Sequence, residues 1–175
     1  MSTLLLRLAG PMQSWGTQSR HSLRDTGQEP SKSGVIGLVA AALGRPRDRD
    51  ISDLAGLRMG VRVDQEGKVS KDFHTALHVI RADGGRSNAA VVSDRYYLAD
   101  ADFLVGLESD ETPLLEQIHH AVANPHWPLC LGRKAFPIGL PVYIPDGLRP
   151  DAGLEDSLGT FPICSRYLRQ KPNVR

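Results

Sequence analysis

Cysteine is almost missing from this chain. The two present, Cys130 and Cys164, stand far apart and in no CxxC pair. That excludes a disulfide framework and a thiolate zinc site. Long apolar runs are also missing. No stretch approaches the roughly 20 residues of a membrane span, and no basic-apolar-small secretory signal opens the chain. The expected location is the cytoplasm, with no membrane partner. Charge of one sign is lacking too: 21 Lys and Arg face 20 Asp and Glu, for a net charge of +1. This is not a generically basic nucleic-acid protein. No internal repeat or low-complexity tract interrupts the 175 residues, and a hydrophobic fraction of 41% supports a real core. The length fits one domain, or one domain with an extension.

The charge that is present is unevenly spread. Residues 1–47 carry Arg7, Arg20, Arg24, Lys32, Arg45 and Arg47 against Asp25 and Glu29. Residues 101–150 carry Arg133, Lys134 and Arg149 against six acids. A positive front with an acidic back suits a protein that meets phosphate on one side. Charge alone does not separate that reading from chance.

Periodicity predicts the elements. Thr3–Ala9 reads as a central strand, since Leu4-Leu5-Leu6 and Leu8 leave it almost continuously apolar. Gly10-Pro11 breaks it. A polar loop then carries Gln13, Ser14, Trp15, Arg20, His21, Arg24 and Lys32 to a helix at Ser33–Leu43, capped by Ser31 or Ser33 and closed by Gly44. A cationic loop that leads into a helix N-terminus is a place for anions. Strands are expected at Met59–Asp64, Val69–Val79, Arg95–Leu98 and Asp102–Leu107, with a protruding loop or hairpin at about 80–93. Thr112-Pro113 opens a second helix that ends at Asn124-Pro125. A last strand is expected at Leu140–Ile144. This order gives an α+β, ferredoxin-like (RRM-like) βαββαβ core over residues 1–145. Both helices would lie on one sheet face and leave the other face free, and 146–175 would be an irregular extension.

Chemistry-bearing candidates are few. Trp15 suits either base stacking or a place in the core beneath the turn. Arg20, Arg24 and Lys32 suit phosphate neutralisation, and Arg133 with Lys134 after Gly132 suits close approach to a phosphate. The alternative for each is a solvated loop. His74 and His78 would share a strand face. They have no third ligand at a recognisable spacing, so no metal site is expected. His74 has the chemistry of a general base toward a ribose hydroxyl, but a structural histidine is the preferred reading. No cofactor is expected.

Five blocks carry a resemblance. They are Arg7-Leu8-Ala9-Gly10-Pro11-Met12-Gln13-Ser14-Trp15-Gly16, Ser33-Gly34-Val35-Ile36-Gly37-Leu38, Asp72-Phe73-His74-Thr75, Tyr97-Leu98-Ala99-Asp100-Ala101-Asp102-Phe103 and Leu131-Gly132-Arg133-Lys134-Ala135-Phe136-Pro137. In these blocks the chain resembles the CasD family, the RAMP-type RNA-binding subunits of the type I-E CRISPR surveillance complex Cascade. The resemblance spans about residues 3–145. It implies a ferredoxin-like core with a thumb hairpin that grips the 5′ handle of CRISPR RNA (crRNA). It implies contacts to a CasC-type backbone subunit and a CasA-type large subunit, and to target DNA through the complex. It implies antiviral defence without catalysis, since a separate subunit, CasE, cuts the precursor RNA. Relatives in type I-C systems do cut RNA, so a metal-independent endoribonuclease is the alternative. On this reading Gln13, Ser14, Trp15, Arg20, Arg24, Lys32, Ser33, His74, Arg133 and Lys134 face RNA, and Arg81, Arg86, Val91 and Val92 form the thumb and its subunit contact. Family members usually continue with further strands past the Pro-rich stretch. This chain stops at Asn173-Val174-Arg175, so a shortened or frame-shifted end is expected.

Overall fold

A computed structural model describes residues 1–18, 22–86 and 89–163. In chain order its elements are β1 (Ser2–Ala9), β2 (Met12–Gln13), β3 (Leu23–Arg24), α1 (Lys32–Ala42), α2 (Ser52–Ala55), β4 (Arg58–Gln65), β5 (Lys68–Ala76), β6 (Val91–Ala99), β7 (Asp102–Ser109), α3 (Thr112–Ala123), β8 (Leu148–Arg149) and α4 (Leu154–Thr160).

The first sheet has the order β4-β7-β1-β8, and every pair in it is antiparallel. β7 lies between β1 and β4, which α1 connects. With α3 leading from β7 to β8, this is the expected split βαβ of a ferredoxin-like core. On one face Leu4, Leu6, Leu8, Phe103, Val105 and Leu107 meet α1 and α3. α1 buries Val35, Ile36, Leu38, Val39 and Ala42. Ser31 caps it, accepting the Gly34 amide at 3.3 Å.

The opposite face is not free, as the sequence suggested, but closed by α4. Leu158 and Phe161 pack on Leu5 and Leu104 there. The helix is held electrostatically at both ends. Glu108 accepts the Leu154 amide at 2.8 Å. Arg62 donates to the carbonyls of Leu158, Phe161 and Pro162, at 2.6 Å for Phe161. Two covered faces explain why β1 and β7 are apolar at consecutive positions. The stretch 146–175 is therefore not simply irregular: β8 and α4 lie within it.

The strand expected at Leu140–Ile144 does not form. The stretch from 139 to 147 meets β1 through isolated bonds: the Gly139 and Leu140 amides to the Ala9 carbonyl, the Arg7 amide to the Val142 carbonyl at 3.0 Å and the Leu5 amide to the Gly147 carbonyl at 2.8 Å. Pro141 and Pro145 have no N–H to extend a ladder. Regular pairing begins only at β8, where Leu148 meets Leu4 and Arg149 meets Thr3.

The second sheet is built on β6. The long β5–β6 hairpin pairs Lys68 with Ala99 through Ala76 with Val91. On the other edge of β6, β2 pairs antiparallel at Leu98 and Ala99, and β3 pairs parallel at Asp94 and Arg95. The protrusion expected at 80–93 is thus larger. Val91 and Val92 belong to β6, and the tip is residues 77–90. β5 ends at Ala76 rather than Val79, and His78 takes a left-handed φ of 53°.

Trp15 plugs the junction of the two sheets and is 1% exposed. Its ring lies under Gly34 of α1, where a Cβ would come within 2.8 Å of it. The indole N–H donates to Gln13 Oε1 at 3.1 Å. Gln13 Nε2 donates to the carbonyls of Leu8 at 3.0 Å and Ala101 at 2.8 Å. Trp15→Ala should therefore cost about 3–5 kcal/mol of stability, as large-to-small aromatic core changes do. Chemical denaturation measures it, and an unchanged midpoint would refute the core role.

Candidate nucleic-acid interface

Ladder register builds a cationic face on the second sheet. Residues paired across strands share a face. Arg24 on β3 pairs with Arg95 on β6, which pairs with Asp72 on β5. The neighbouring rows of that face hold Ser93 with His74, and Tyr97 with Ser70.

Arg133 joins this face from the loop after α3. Gly132 takes φ +88°, and a Cβ there would fall 1.8 Å from the Ser14 carbonyl oxygen, so only glycine lets the loop lie against β2. The loop closes through the Leu131 amide to the Phe136 carbonyl at 2.8 Å and the Phe136 amide to the Arg133 carbonyl at 2.9 Å. The Arg133 guanidinium lies 5.7 Å above the Phe136 ring, and that ring stands 5.9 Å from Tyr97. Arg133 Nη2 donates to the carbonyls of Arg24 at 3.1 Å and Asp25 at 3.2 Å. Its Nη1 is buried and has no hydrogen-bond partner among the described residues.

The electrostatics of the cluster are unbalanced. None of the ion pairs among the described residues involves Arg24, Arg95 or Arg133. Burial is the main cause that lowers the pKa of Arg133 below the ordinary arginine value, and the charges of Arg95 and Arg24 lower it further. Asp25 and Asp72 act in the opposite direction. The Asp25 carboxylate is engaged with the Thr17 amide and hydroxyl and the Gln18 amide, at 2.7–3.0 Å. An oxyanion that reaches this face meets several guanidinium donors.

The sequence-predicted residues divide. Gln13, Ser14 and Trp15 are 0%, 3% and 1% exposed, so their side chains are structural and do not face RNA. The sequence places them in a polar loop, but pairing of β2 with β6 turns them inward, and the Ser14 hydroxyl donates to the carbonyls of Asp25 and Tyr96. Arg24 and Arg133 come together, with exposed Lys134 beside them. Lys32 lies instead at the start of α1 and donates to the Ala55 carbonyl at 2.7 Å. Its exposed neighbour Ser33 contacts the Ser31 hydroxyl at 3.4 Å. Arg20 lies outside the described residues. His74 stands half-buried on the arginine face, while His78 has left the strand, so the two do not form the expected shared face. At the tip, Arg81 is exposed and paired with Asp83 at 2.9 Å, and exposed Arg86 bridges to Ile80. Val91 and Val92 are exposed on opposite faces of β6. Among the described residues no cluster of three His, Cys, Asp or Glu is placed to hold a metal, and no helix is long and apolar enough to cross a membrane.

Sequence reasoning missed Arg95, Tyr97 and Phe136. Strand alternation sets Arg95 and Tyr97 on one face, a signal the sequence carries, but the parallel pairing that brings Arg24 beside Arg95 has no local signature.

Comparison with known proteins gives the family of the chain. The family model described as CRISPR-associated protein (Cas_Cas5) matches residues 3–167. The chain is 37% identical over 159 residues to the CRISPR system Cascade subunit CasD of Escherichia coli (strain K12), covering 82% of this chain and 70% of that protein. A solved structure described as a crystal structure of a Cas protein is 49% identical with a TM-score of 0.74, over 92% of this chain and 71% of that one. A chain of a CRISPR RNA-guided surveillance complex is 43% identical with a TM-score of 0.73, over 80% of this chain and 61% of that one. With most of its length matched and the split βαβ core in place, the chain belongs to the Cas5 family of CRISPR-associated proteins.

Proposed function

We propose that this protein is a non-catalytic subunit of a Cascade-type surveillance complex in antiviral defence. It holds the 5′ handle of crRNA and anchors a CasC-type backbone subunit and a CasA-type large subunit, and it meets target DNA through that complex in the cytoplasm. The observation that carries this reading is the arginine face of the second sheet, in a chain similar to the Cascade subunit CasD. Single-stranded RNA is read through backbone contacts and splayed bases, and such a face supplies the cations. Strand alternation gives the hairpin a second surface of different chemistry. There Leu23, Phe73 and Val92 are 51%, 65% and 41% exposed. With the Lys71–Asp94 ion pair on the same side, a mixed surface with exposed apolar side chains suits a neighbouring protein subunit.

The purified chain should leave CRISPR repeat RNA uncut, with or without divalent metal, in a gel-based assay. Specific cleavage that disappears in His74→Ala would replace the scaffold reading with an endoribonuclease.

The hairpin tip generates a second expectation. Ala76 and Val91 are paired, so residues 77–90 can be replaced by an Asn-Gly turn without disturbing the ladder. The shortened chain should melt near the wild-type temperature and assemble poorly with a CasC-type subunit on size-exclusion chromatography. Normal assembly would remove the tip from the subunit interface.

A further inference from the structure

We propose that Arg24, Arg95 and Arg133 form a seat for one backbone phosphate of single-stranded RNA, beside the Tyr97–Phe136 aromatic pair. This inference rests on the RNA-binding reading above and deepens it to a single locus.

The seat is local because the cations are local. Arg24 and Arg95 occupy one row of the ladder, and Arg133 reaches that row through its bonds to the Arg24 and Asp25 carbonyls. The adjacent rows of the same face carry Ser93 with His74, and Tyr97 with Ser70, with no Lys or Arg. A groove that tracked several phosphates would repeat its cations along the strands. The next cation on this face, Lys68 opposite Ala99, stands two rows away, so the three guanidiniums form a cluster at one row that is sized for one phosphate.

The row also lacks an ion-pair partner, and Arg95 Nε donates to the neutral Ser93 hydroxyl at 3.2 Å. Gathering like charges is unfavourable, and folded chains usually interleave acids. Asp72 lies in the row, yet no ion pair forms between it and these arginines among the described residues. Arg133 is fixed by main-chain carbonyls and a ring face, which set its position without a paired carboxylate. A phosphodiester, with two non-bridging oxygens sharing one negative charge, supplies the compensation and accepts from more than one guanidinium at once. The flat aromatic pair beside it offers a stacking surface to the attached base or sugar.

The test is the salt dependence of binding between the full chain and labelled 5′-handle RNA. The variants are Arg24→Gln, Arg95→Gln and the pair, with Lys71→Gln as control. Lys71 is on the same hairpin but faces away from the seat, with Asp94 at 3.4 Å. Each seat variant should weaken binding about tenfold, equivalent to about 1.4 kcal/mol. Each should also lower the salt slope by about 0.7, the value for one phosphate on a single strand. The double variant should lower the slope by the same amount once more only if two phosphates are bound, so the seat predicts no further fall. Lys71→Gln should leave the slope unchanged. Arg24→Lys and Arg95→Lys keep the charge and should keep the slope, which separates lost charge from lost folding.

A doubled slope change in the pair would overturn the shared seat in favour of two separate contacts. Unchanged binding in all Arg variants would overturn the seat while leaving RNA binding intact. An equal effect of Lys71→Gln would reduce the face to general net charge and overturn it. If wild type binds no RNA but binds labelled polyglutamate through these arginines, the face belongs to an acidic protein, and both the seat and the RNA reading fall. Binding of neither probe overturns both as well.

Discussion

The buried Gln13–Trp15 contact is the constraint on which the rest of the structure depends. Gln13 joins three parts of the chain through one amide: β1 at the Leu8 carbonyl, the β6–β7 turn at the Ala101 carbonyl, and the Trp15 indole. An amide buried without partners costs several times what a satisfied one contributes, so the group works only when all three are in place. The segment is pinned further by the Ser14 amide to the Leu131 carbonyl at 3.1 Å and the Gly27 amide to the Trp15 carbonyl at 2.7 Å. The chain leaving β3 is thus held against the Trp15 segment, and the Gly132 loop is held against Ser14. Both arginines that flank Arg95 are positioned by this core, although neither lies in it.

That arrangement separates the residues that build the site from those that use it. The polar and aromatic residues just after β1 look functional because they follow a strand and precede a helix. The chain instead spends them inside, where a large ring and a fully bonded amide join two sheets. Arg24, further along the same loop, reaches the surface as a consequence. A change at Gln13 or Trp15 would therefore reach the arginine face indirectly, through Arg24 and Arg133, and would disturb stability and the geometry of that face together.

Much of the fold was legible in the sequence. Continuous apolar residues marked β1 and β7, and α3 announced itself through Thr112-Pro113 and its apolar stripe. Their order gave the split βαβ. What was not legible depended on contacts distant in sequence. α4 is a short helix whose role appears only when Leu154 and Leu158 meet Gly60 and Gly106, where side chains would clash. The failed strand at Leu140–Ile144 had the right residues, but Pro141 within it and Pro145 just after it cannot donate to a ladder. For the site, Arg24 and Arg133 were legible as cations near turns. Arg95 was not, because parallel pairing with a two-residue strand leaves no periodic trace. Burial of Gln13, Ser14 and Trp15 was equally hidden, since a two-residue strand is too short to show alternation.

The position of the arginine row along the hairpin follows from where β6 is supported. At its root β6 has neighbours on both edges: β5 on one side, and β2, β3 and the Asp94 amide to Ser22 carbonyl bond on the other. Beyond Asp94 toward the tip, Ser93, Val92 and Val91 pair with β5 alone. A two-stranded ribbon is marginal by itself, whereas a strand paired on both edges is a rigid scaffold. Arg95 stands in the part that is paired on both edges, so its geometry is set before a ligand arrives. The register carries equal weight. A one-residue slip of β6 would exchange Arg95 for Asp94 or Tyr96 on that face and bring Arg95 round to Leu23 and Phe73. Pairing of β6 with β3 on one edge and β5 on the other resists that slip, so the same contacts that stiffen the root also keep the cationic and apolar faces of the hairpin distinct.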